Sequence, residues 1–130
     1  MKSYKKEFPK ELYNIAKSER NFGQTYYEIT KLLMRLNFNI SSIGFQYWVI
    51  ALIDYRKNYF KYDNTIERLY TDIAKNCNTT RSKVERGMRT ASATAKKTIA
   101  NDFNYYKKLS NKTILKLLTH NVCIINIKGE

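Results

Sequence analysis

The sequence is poor in the residues that interrupt helices, bind metals or carry out acid–base chemistry. It has four glycines and one proline in 130 residues, so it offers few chain breaks. Its two cysteines and its histidine (Cys77, Cys123 and His120) lack the spacing of a zinc site. It has no glycine-rich phosphate loop, and no cysteines, histidines or paired carboxylates that would converge on a substrate. We therefore expect no enzyme, no metal or other cofactor, and no small-molecule substrate.

Segments that would direct the chain into a membrane are also lacking. The longest apolar run, from Ile43 to Ile53, is too short to span a bilayer and contains Gln46. The N-terminus is charged and has no apolar signal-peptide core. The two cysteines are far apart in sequence, which is typical of reduced thiols in a cytosolic protein. The expected compartment is the cytoplasm.

Positive charge is what the chain has in excess. Lys and Arg number 24 against 11 Asp and Glu, giving a net charge of +13, whereas small domains usually carry about 2–8 charges. A soluble chain this basic usually binds a polyanion, such as DNA, RNA or an anionic membrane surface. With 43% hydrophobic residues, the composition favours one folded, helical, basic domain.

Residues 69–91, LYTDIAKNCNTTRSKVERGMRTA, have the pattern of two helices joined by a tight turn. The first helix is predicted over residues 69–77. Asn78 follows it and tolerates the left-handed conformation that a sharp turn needs. Thr80 is a natural N-cap for the second helix. This order of elements is that of a helix-turn-helix, whose second helix enters the major groove in DNA-binding proteins.

The second helix is predicted to start near Thr80, to continue to about Ala100 and to have two unlike faces. A competing capping box of Ser82 and Glu85 would start it two residues later. An ordinary helical hairpin with a solvated charged face is the alternative, although such a face usually mixes both signs of charge. The apolar stripe expected to point inward is Val84, Met88, Ala91 and Ala95. The residues off this stripe are Arg81, Ser82, Lys83, Glu85, Arg86 and Arg89.

In such a helix Arg86 is the residue best suited to read guanine, because its guanidinium group can donate two parallel hydrogen bonds to the O6 and N7 acceptors. Lys83 lies one turn earlier on the same face. Glu85 would be repelled by phosphates unless it accepts a hydrogen bond from a cytosine amino group. A cluster at the helix N-terminus, where N–H groups and the helix dipole favour a phosphate, comprises Thr79, Thr80, Arg81 and Ser82. Capping alone would equally account for Thr80.

The same stretch resembles the C-terminal DNA-binding domain of the stage-zero sporulation response regulator of endospore-forming Firmicutes. The shared pattern is L-Y-x-D-I-A-K-x-x-N-T-T-x-S-[RK]-V-E-R-x-x-R-x-A, and a weaker resemblance extends over about residues 29–120. It implies that Lys83, Glu85 and Arg86 read bases and that Arg89 contacts a phosphate or a base. Lys83 replaces the family's arginine and lacks the bidentate fork. The segment between residues 59 and 69 is shorter than in the family, and the chain leaves no room for the receiver domain that precedes this module.

The rest of the chain predicts an all-α, compact multi-helix domain. Further helices are expected over Phe8–Ser18, Tyr26–Leu36 with Thr25 as its cap, Ser41 or Ser42 to about Tyr59, Asp102–Lys108 and Lys112–His120. The inward residues are expected to be Ile29, Leu32, Leu33, Leu36, Tyr47, Trp48, Ile114, Leu117 and Leu118, and residues 57–65 are expected to form a loop. Three parts are predicted: an N-terminal extension (1–24) with a short amphipathic helix, the helix-turn-helix domain (25–121) and an apolar tail (122–130). The VCIINI segment of this tail has the pattern of a short strand or an extended tail.

These observations predict a sequence-specific double-stranded DNA-binding protein, which the resemblance makes a transcription regulator. A homodimer or tandem copies are expected on DNA, because one module buries only a modest interface. Two alternatives stay open at this point. One is a plasmid or phage accessory protein that binds an origin or transfer region. The other is an interaction protein whose basic face binds an acidic partner. For a DNA-binding protein the expected location is the bacterial nucleoid or plasmid DNA.

Overall fold

The computed structural model describes residues 22–62 and 65–119, and all the regular secondary structure there is helical. The helices are α1 (Phe22–Arg35), α2 (Ile43–Lys57), α3 (Tyr59–Tyr62), α4 (Ile66–Asn76), α5 (Arg81–Ala93), α6 (Lys96–Phe103) and α7 (111–119). The predicted all-α, multi-helix domain is confirmed. The predicted helix over residues 8–18 and the VCIINI segment lie outside the described residues.

The central element is α2, which contacts α1, α3, α4 and α5. Its side chains are buried around most of its circumference, since an unusually broad apolar surface leaves only a narrow polar strip, with Gln46 and Lys57, for water. Trp48 is fully buried and Tyr47 is 8% exposed, which confirms their prediction as core residues. Ser42 caps the helix, because its hydroxyl accepts a hydrogen bond from the Gly44 N–H at 3.1 Å. Four other helices are thus positioned against this one.

The predicted inward faces of α1 and α7 are largely correct. Ile29, Leu32, Leu33 and Leu36 are all buried, as are Ile114 and Leu118. In α7, however, Leu115 is buried and Leu117 is only partly buried, so the inward face is rotated by part of a turn. The predicted cap at Thr25 is wrong, because α1 already runs through this position and Thr25 is buried within it.

Three helices end in the same way, with an asparagine in the left-handed region. The φ angles are 71° at Asn37, 56° at Asn78 and 52° at Asn104. In each case the next N–H donates back across the helix end: Phe38 to Leu33, Thr79 to Ala74, and Tyr105 to Ala100, at 3.0, 2.9 and 2.9 Å. This is the Schellman pattern, in which glycine is the usual left-handed residue. Asparagine thus supplies the turns that a chain with four glycines would otherwise lack.

The predicted end of the second helix is wrong, and so is the short helix over residues 102–108. The helix is interrupted between α5 and α6, where polar groups of the α1–α2 connection hydrogen-bond to its backbone and side chains. The Asn39 N–H donates to the Ala91 carbonyl at 3.0 Å, and the Thr94 hydroxyl donates to the Asn37 carbonyl at 2.7 Å. The segment predicted as a loop over residues 57–65 also differs, since it contains the single turn α3.

Candidate nucleic-acid interface

α4 and α5 form the predicted helix-turn-helix unit, with α4 beginning three residues before the predicted position. The left-handed Asn78 makes the turn, as the sequence predicted. Thr80 is the N-cap of α5, because its hydroxyl accepts a hydrogen bond from the Lys83 N–H at 3.2 Å. Since α5 begins at Arg81, the competing capping box of Ser82 and Glu85 does not start the helix. The free backbone N–H groups of the first turn of α5 can therefore bind an anion such as a phosphate.

The inward face of α5 is completely buried. Val84, Met88 and Ala91, together with Ala95 just beyond the helix, have no solvent exposure. All four are the residues of the predicted apolar stripe. Because this face is fixed in the core, the opposite face of α5 is fixed toward solvent.

α2 holds α5 at two neighbouring points. The Trp48 Nε1–H donates to the Met88 carbonyl at 2.8 Å, in a buried position. Beside it the two helices cross so closely that a Cβ added to Gly44 would lie 1.8 Å from the Gly87 carbonyl oxygen. A missing side chain on Gly44 is thus what allows the two backbones to touch. The sequence reasoning missed this contact, although glycines inside predicted helices were a signal for it.

A buried asparagine connects α5 to α4 and α7. Asn111 is 8% exposed, and its Nδ2 donates to the Tyr70 hydroxyl and to the Glu85 carbonyl, both at 3.2 Å. The Tyr70 ring is itself buried, and this burial raises the pKa of its phenol. The sequence did not predict this contact, because nothing local to Asn111 indicates a bond to a residue in another helix.

The structure places the predicted site residues on one side of α5. Arg81, Ser82, Lys83, Arg86 and Arg89 are exposed, whereas Glu85 is half-buried. Glu85 and Arg89 form an ion pair one turn apart, with Nη1 and Oε2 2.5 Å from each other. No carboxylate of the described residues pairs with Lys83 or Arg86. The exposed face therefore presents three cations that pair with no carboxylate of the described residues, Arg81, Lys83 and Arg86, beside a neutralised pair.

The two threonines before α5 are already engaged within the protein. The Thr80 oxygen accepts the capping bond described above, which leaves its hydroxyl proton available to an outside acceptor. Thr79 is half-buried and hydrogen-bonds the Tyr47 phenol. Burial raises the pKa of that phenol, the nearby Cys77 adds to this effect, and the bond with Thr79 opposes it. Within the N-terminal cluster, Arg81 and Ser82 are thus the residues whose side chains make no such hydrogen bond in the described part of the protein.

Neither a metal site nor a membrane-spanning helix is found in the part of the chain that the structure describes. Among residues 22–62 and 65–119, no group of three or more His, Cys, Asp or Glu side chains is arranged to hold a metal ion. None of the helices described there has the length and apolar character needed to cross a membrane.

The chain matches one protein family over residues 29–123, which is most of its length. The family is described as the C-terminal domain of the sporulation initiation factor Spo0A. No curated protein and no solved structure gives a significant match. The family match includes α2, the helix-turn-helix unit and α7, so it covers every element that positions the exposed face of α5. The chain belongs to the Spo0A C-terminal family, whose members are DNA-binding domains of transcription regulators.

Proposed function

We propose that this protein binds double-stranded DNA in a sequence-specific way and reads the major groove with α5. The observation that carries the proposal is the division of this helix into a fully buried face and an exposed cationic face. A helix that is 13 residues long and rigidly held can insert its first turns into a groove about 12 Å wide. In helix-turn-helix proteins the N-terminal part of the second helix makes the base contacts.

Arg86 and Lys83 are the proposed base readers with the strongest support. Both are exposed and neither is paired with a carboxylate of the described residues. They lie on the outward side of α5, opposite the buried Met88. The Arg86 guanidinium can donate two parallel hydrogen bonds to a guanine, whereas the Lys83 ammonium offers a single point of charge. We therefore expect Arg86 to contribute more to discrimination between bases.

Glu85 and Arg89 are proposed to act together. A lone carboxylate would be repelled by the phosphates, but the Arg89 guanidinium beside it cancels its charge. An exposed pair of this kind is worth only about 0.3–0.5 kcal/mol, so DNA can rearrange it at little cost. Glu85 can then accept from a cytosine amino group while Arg89 binds a phosphate or a base. Arg81 and Ser82 are proposed phosphate contacts, with Thr80 and Thr79 as lesser ones.

We also propose that the protein binds DNA as a homodimer or as tandem copies, in the bacterial cytoplasm. One module of this size covers only a small part of a regulatory site, and a second copy would extend the sequence that is read. No catalytic step is part of this function, since DNA-binding domains of this family are not enzymes.

The experiment that tests the proposal compares Arg86→Ala with the wild-type chain. A preferred duplex is selected from a randomised pool, and its affinity is measured against a scrambled duplex of the same composition. Loss of one bidentate base contact should reduce the affinity ratio by roughly 5- to 150-fold, equivalent to about 1–3 kcal/mol. Lys31→Ala, which removes the same charge from α1, is the matched control and should leave the ratio unchanged. An unchanged ratio in a folded Arg86→Ala protein would refute the assignment of Arg86 as a base reader.

A further inference from the structure

A second basic region follows α5 in the chain. From Lys96 to Thr119 the sequence has six lysines, no arginine and a single carboxylate, that of Asp102. This carboxylate is paired with Arg35 of α1, with Nη1 and Oδ2 3.0 Å apart. The positive charge of residues 103–119 therefore has no acidic residue of its own segment to balance it.

All six lysines are solvent-exposed. We refer to the three that flank Leu109 and Asn111 as the lysine surface: Lys107, Lys108 and Lys112. No carboxylate of the described residues pairs with any of them. Leu109, which lies between them in the chain, is 7% exposed and part of the core. The backbone of the segment is thus anchored while the three ammonium groups extend into solvent.

The lysine surface is attached to α5 at the level of the proposed base readers. Asn111, next to Lys112, is the buried residue that donates to the Glu85 carbonyl at 3.2 Å. Glu85 is directly followed by Arg86 in α5. The same Asn111 side chain also donates to the Tyr70 hydroxyl of α4, so this position is fixed from two helices. Lys112 is therefore anchored at the second turn of α5 through its neighbour Asn111, and Lys107 and Lys108 precede it in the same segment.

We propose that the lysine surface is a second DNA contact, which binds the phosphate backbone bordering the groove that α5 occupies. The assignment rests on the DNA binding proposed above. A duplex carries one negative charge per ~1.7 Å of axis, so phosphates border any helix that enters a groove. Lysine ammonium groups are compact charges without a fork, which suits phosphate contacts rather than base reading. The lysine surface thus adds affinity and fixes the orientation of α5 without adding sequence information.

The test removes the three charges together in the full chain, as Lys107→Gln, Lys108→Gln and Lys112→Gln. The matched control is Lys31→Gln, Lys96→Gln and Lys97→Gln. Its residues are exposed and lie on α1 and α6, elements joined at the far end of α5 by the bond between Asn37 and Thr98. Affinity for the selected and scrambled duplexes is measured from low to moderate salt. The lysine-surface variant should flatten the slope of log K against log salt by about 2–3, and at 0.1 M salt lose roughly 5- to 10-fold in affinity per contact.

The ratio of affinities for the two duplexes separates this inference from the proposed function. It should stay within about twofold of wild type in the lysine-surface variant, because phosphate contacts do not distinguish sequences. Equal flattening in the control variant would show a general charge effect and overturn the assignment. An unchanged slope would also overturn it. Both of these results leave base reading by Arg86 intact, whereas a wild-type chain without sequence preference would refute the proposed function itself.

A second measurement changes the phosphates of the DNA instead of the lysines of the protein. Neutral methylphosphonate linkages are placed one at a time at the phosphates that border the selected site. Linkages facing the lysine surface should weaken binding by the wild-type chain but not by the lysine-surface variant. If the same linkages weaken both proteins equally, the lysines do not contact those phosphates, whatever the salt slopes show.

Discussion

The close approach of α2 and α5 predicts that Gly44→Ala is severely destabilising. A Cβ at Gly44 would lie 1.8 Å from the Gly87 carbonyl oxygen and 2.3 Å from its carbonyl carbon. These are backbone atoms, which cannot rotate away as a side chain could. α2 and α5 would have to separate by roughly 1.6 Å to lengthen the 1.8 Å approach to an ordinary contact of 3.4 Å. This separation would loosen the packing of Met88 and the bond from Trp48 to its carbonyl.

The expected cost follows from the usual effect of overfilling a packed core, which is about 1–3 kcal/mol and occasionally more. Because the clash involves backbone on both sides, we expect the free energy of unfolding to fall by about 3 kcal/mol or more. The higher helix propensity of alanine offsets at most ~1 kcal/mol of this loss in the free energy of unfolding. For a domain of this size the melting temperature should fall by about 10 °C. Chemical unfolding followed by circular dichroism measures the change directly.

Gly87→Ala is the matched control at the same helix crossing. Its Cβ would lie 3.1 Å and 3.2 Å from the Cδ2 and Cε2 atoms of the Tyr47 ring, a side chain that can yield by a few tenths of an ångström. The gain in helix propensity should offset this tightness, so we expect a net change within about 1 kcal/mol. The reasoning is refuted if Gly44→Ala unfolds at the same denaturant concentration as Gly87→Ala and wild type. At a temperature where both variants are folded, only Gly44→Ala should also weaken DNA binding, because only it displaces α5.

Two further predictions concern the turn before α5 and the acid stability of the domain. Asn78 has a φ of 56°, so Asn78→Ala should lower the free energy of unfolding by about 1 kcal/mol, whereas Asn78→Gly should be neutral or slightly stabilising; equal melting temperatures for the two variants would contradict this. Asp72 accepts a hydrogen bond from the Tyr62 hydroxyl and pairs with Lys61 at 3.1 Å. Partial burial opposes its ionisation, but these two partners hold the pKa of the Asp72 carboxyl below its ordinary 3.8. Its stabilising contribution is therefore present above about pH 4 and should be lost as the pH falls through the lower folded pKa. Tyr62→Phe should reduce this acid sensitivity in urea midpoints measured from pH 2 to 7, and an unchanged pH profile would show that the phenol does not hold the carboxylate.

The helix-turn-helix unit could be predicted because its signals are local. Asn78 and Thr80 mark the turn through backbone preferences that do not depend on the rest of the fold. The stripe of Val84 and Met88 then fixes which face is inward, and the exposed positions of Lys83 and Arg86 follow as its complement. Their exposure was thus predictable, although their contacts with bases stay a prediction.

The features that the sequence did not reveal depend on residues distant in the chain. The break after α5 is hidden because Ala95 and Ile99 are both buried and continue the apolar stripe through it. Its cause is the α1–α2 connection, more than fifty residues earlier, where Asn37 accepts from Thr94. The bond from Asn111 to the Glu85 carbonyl likewise joins segments that no helical spacing relates. By contrast, Glu85 and Arg89 have the ordinary spacing of one helical turn, so this spacing alone is enough to indicate an ion pair between them.

The seating of α5 on α2 also bears on how the duplex must behave in a complex. A helix held at once by a backbone crossing at Gly44, by the Trp48 indole and by Asn111 has little freedom to tilt or slide. Adjustment at the interface would then fall to the nucleic acid, which has to bend or change its groove width to fit a rigid probe. Base steps that the protein never touches would consequently influence affinity through their stiffness, and flexible steps next to the site would be preferred over stiff ones.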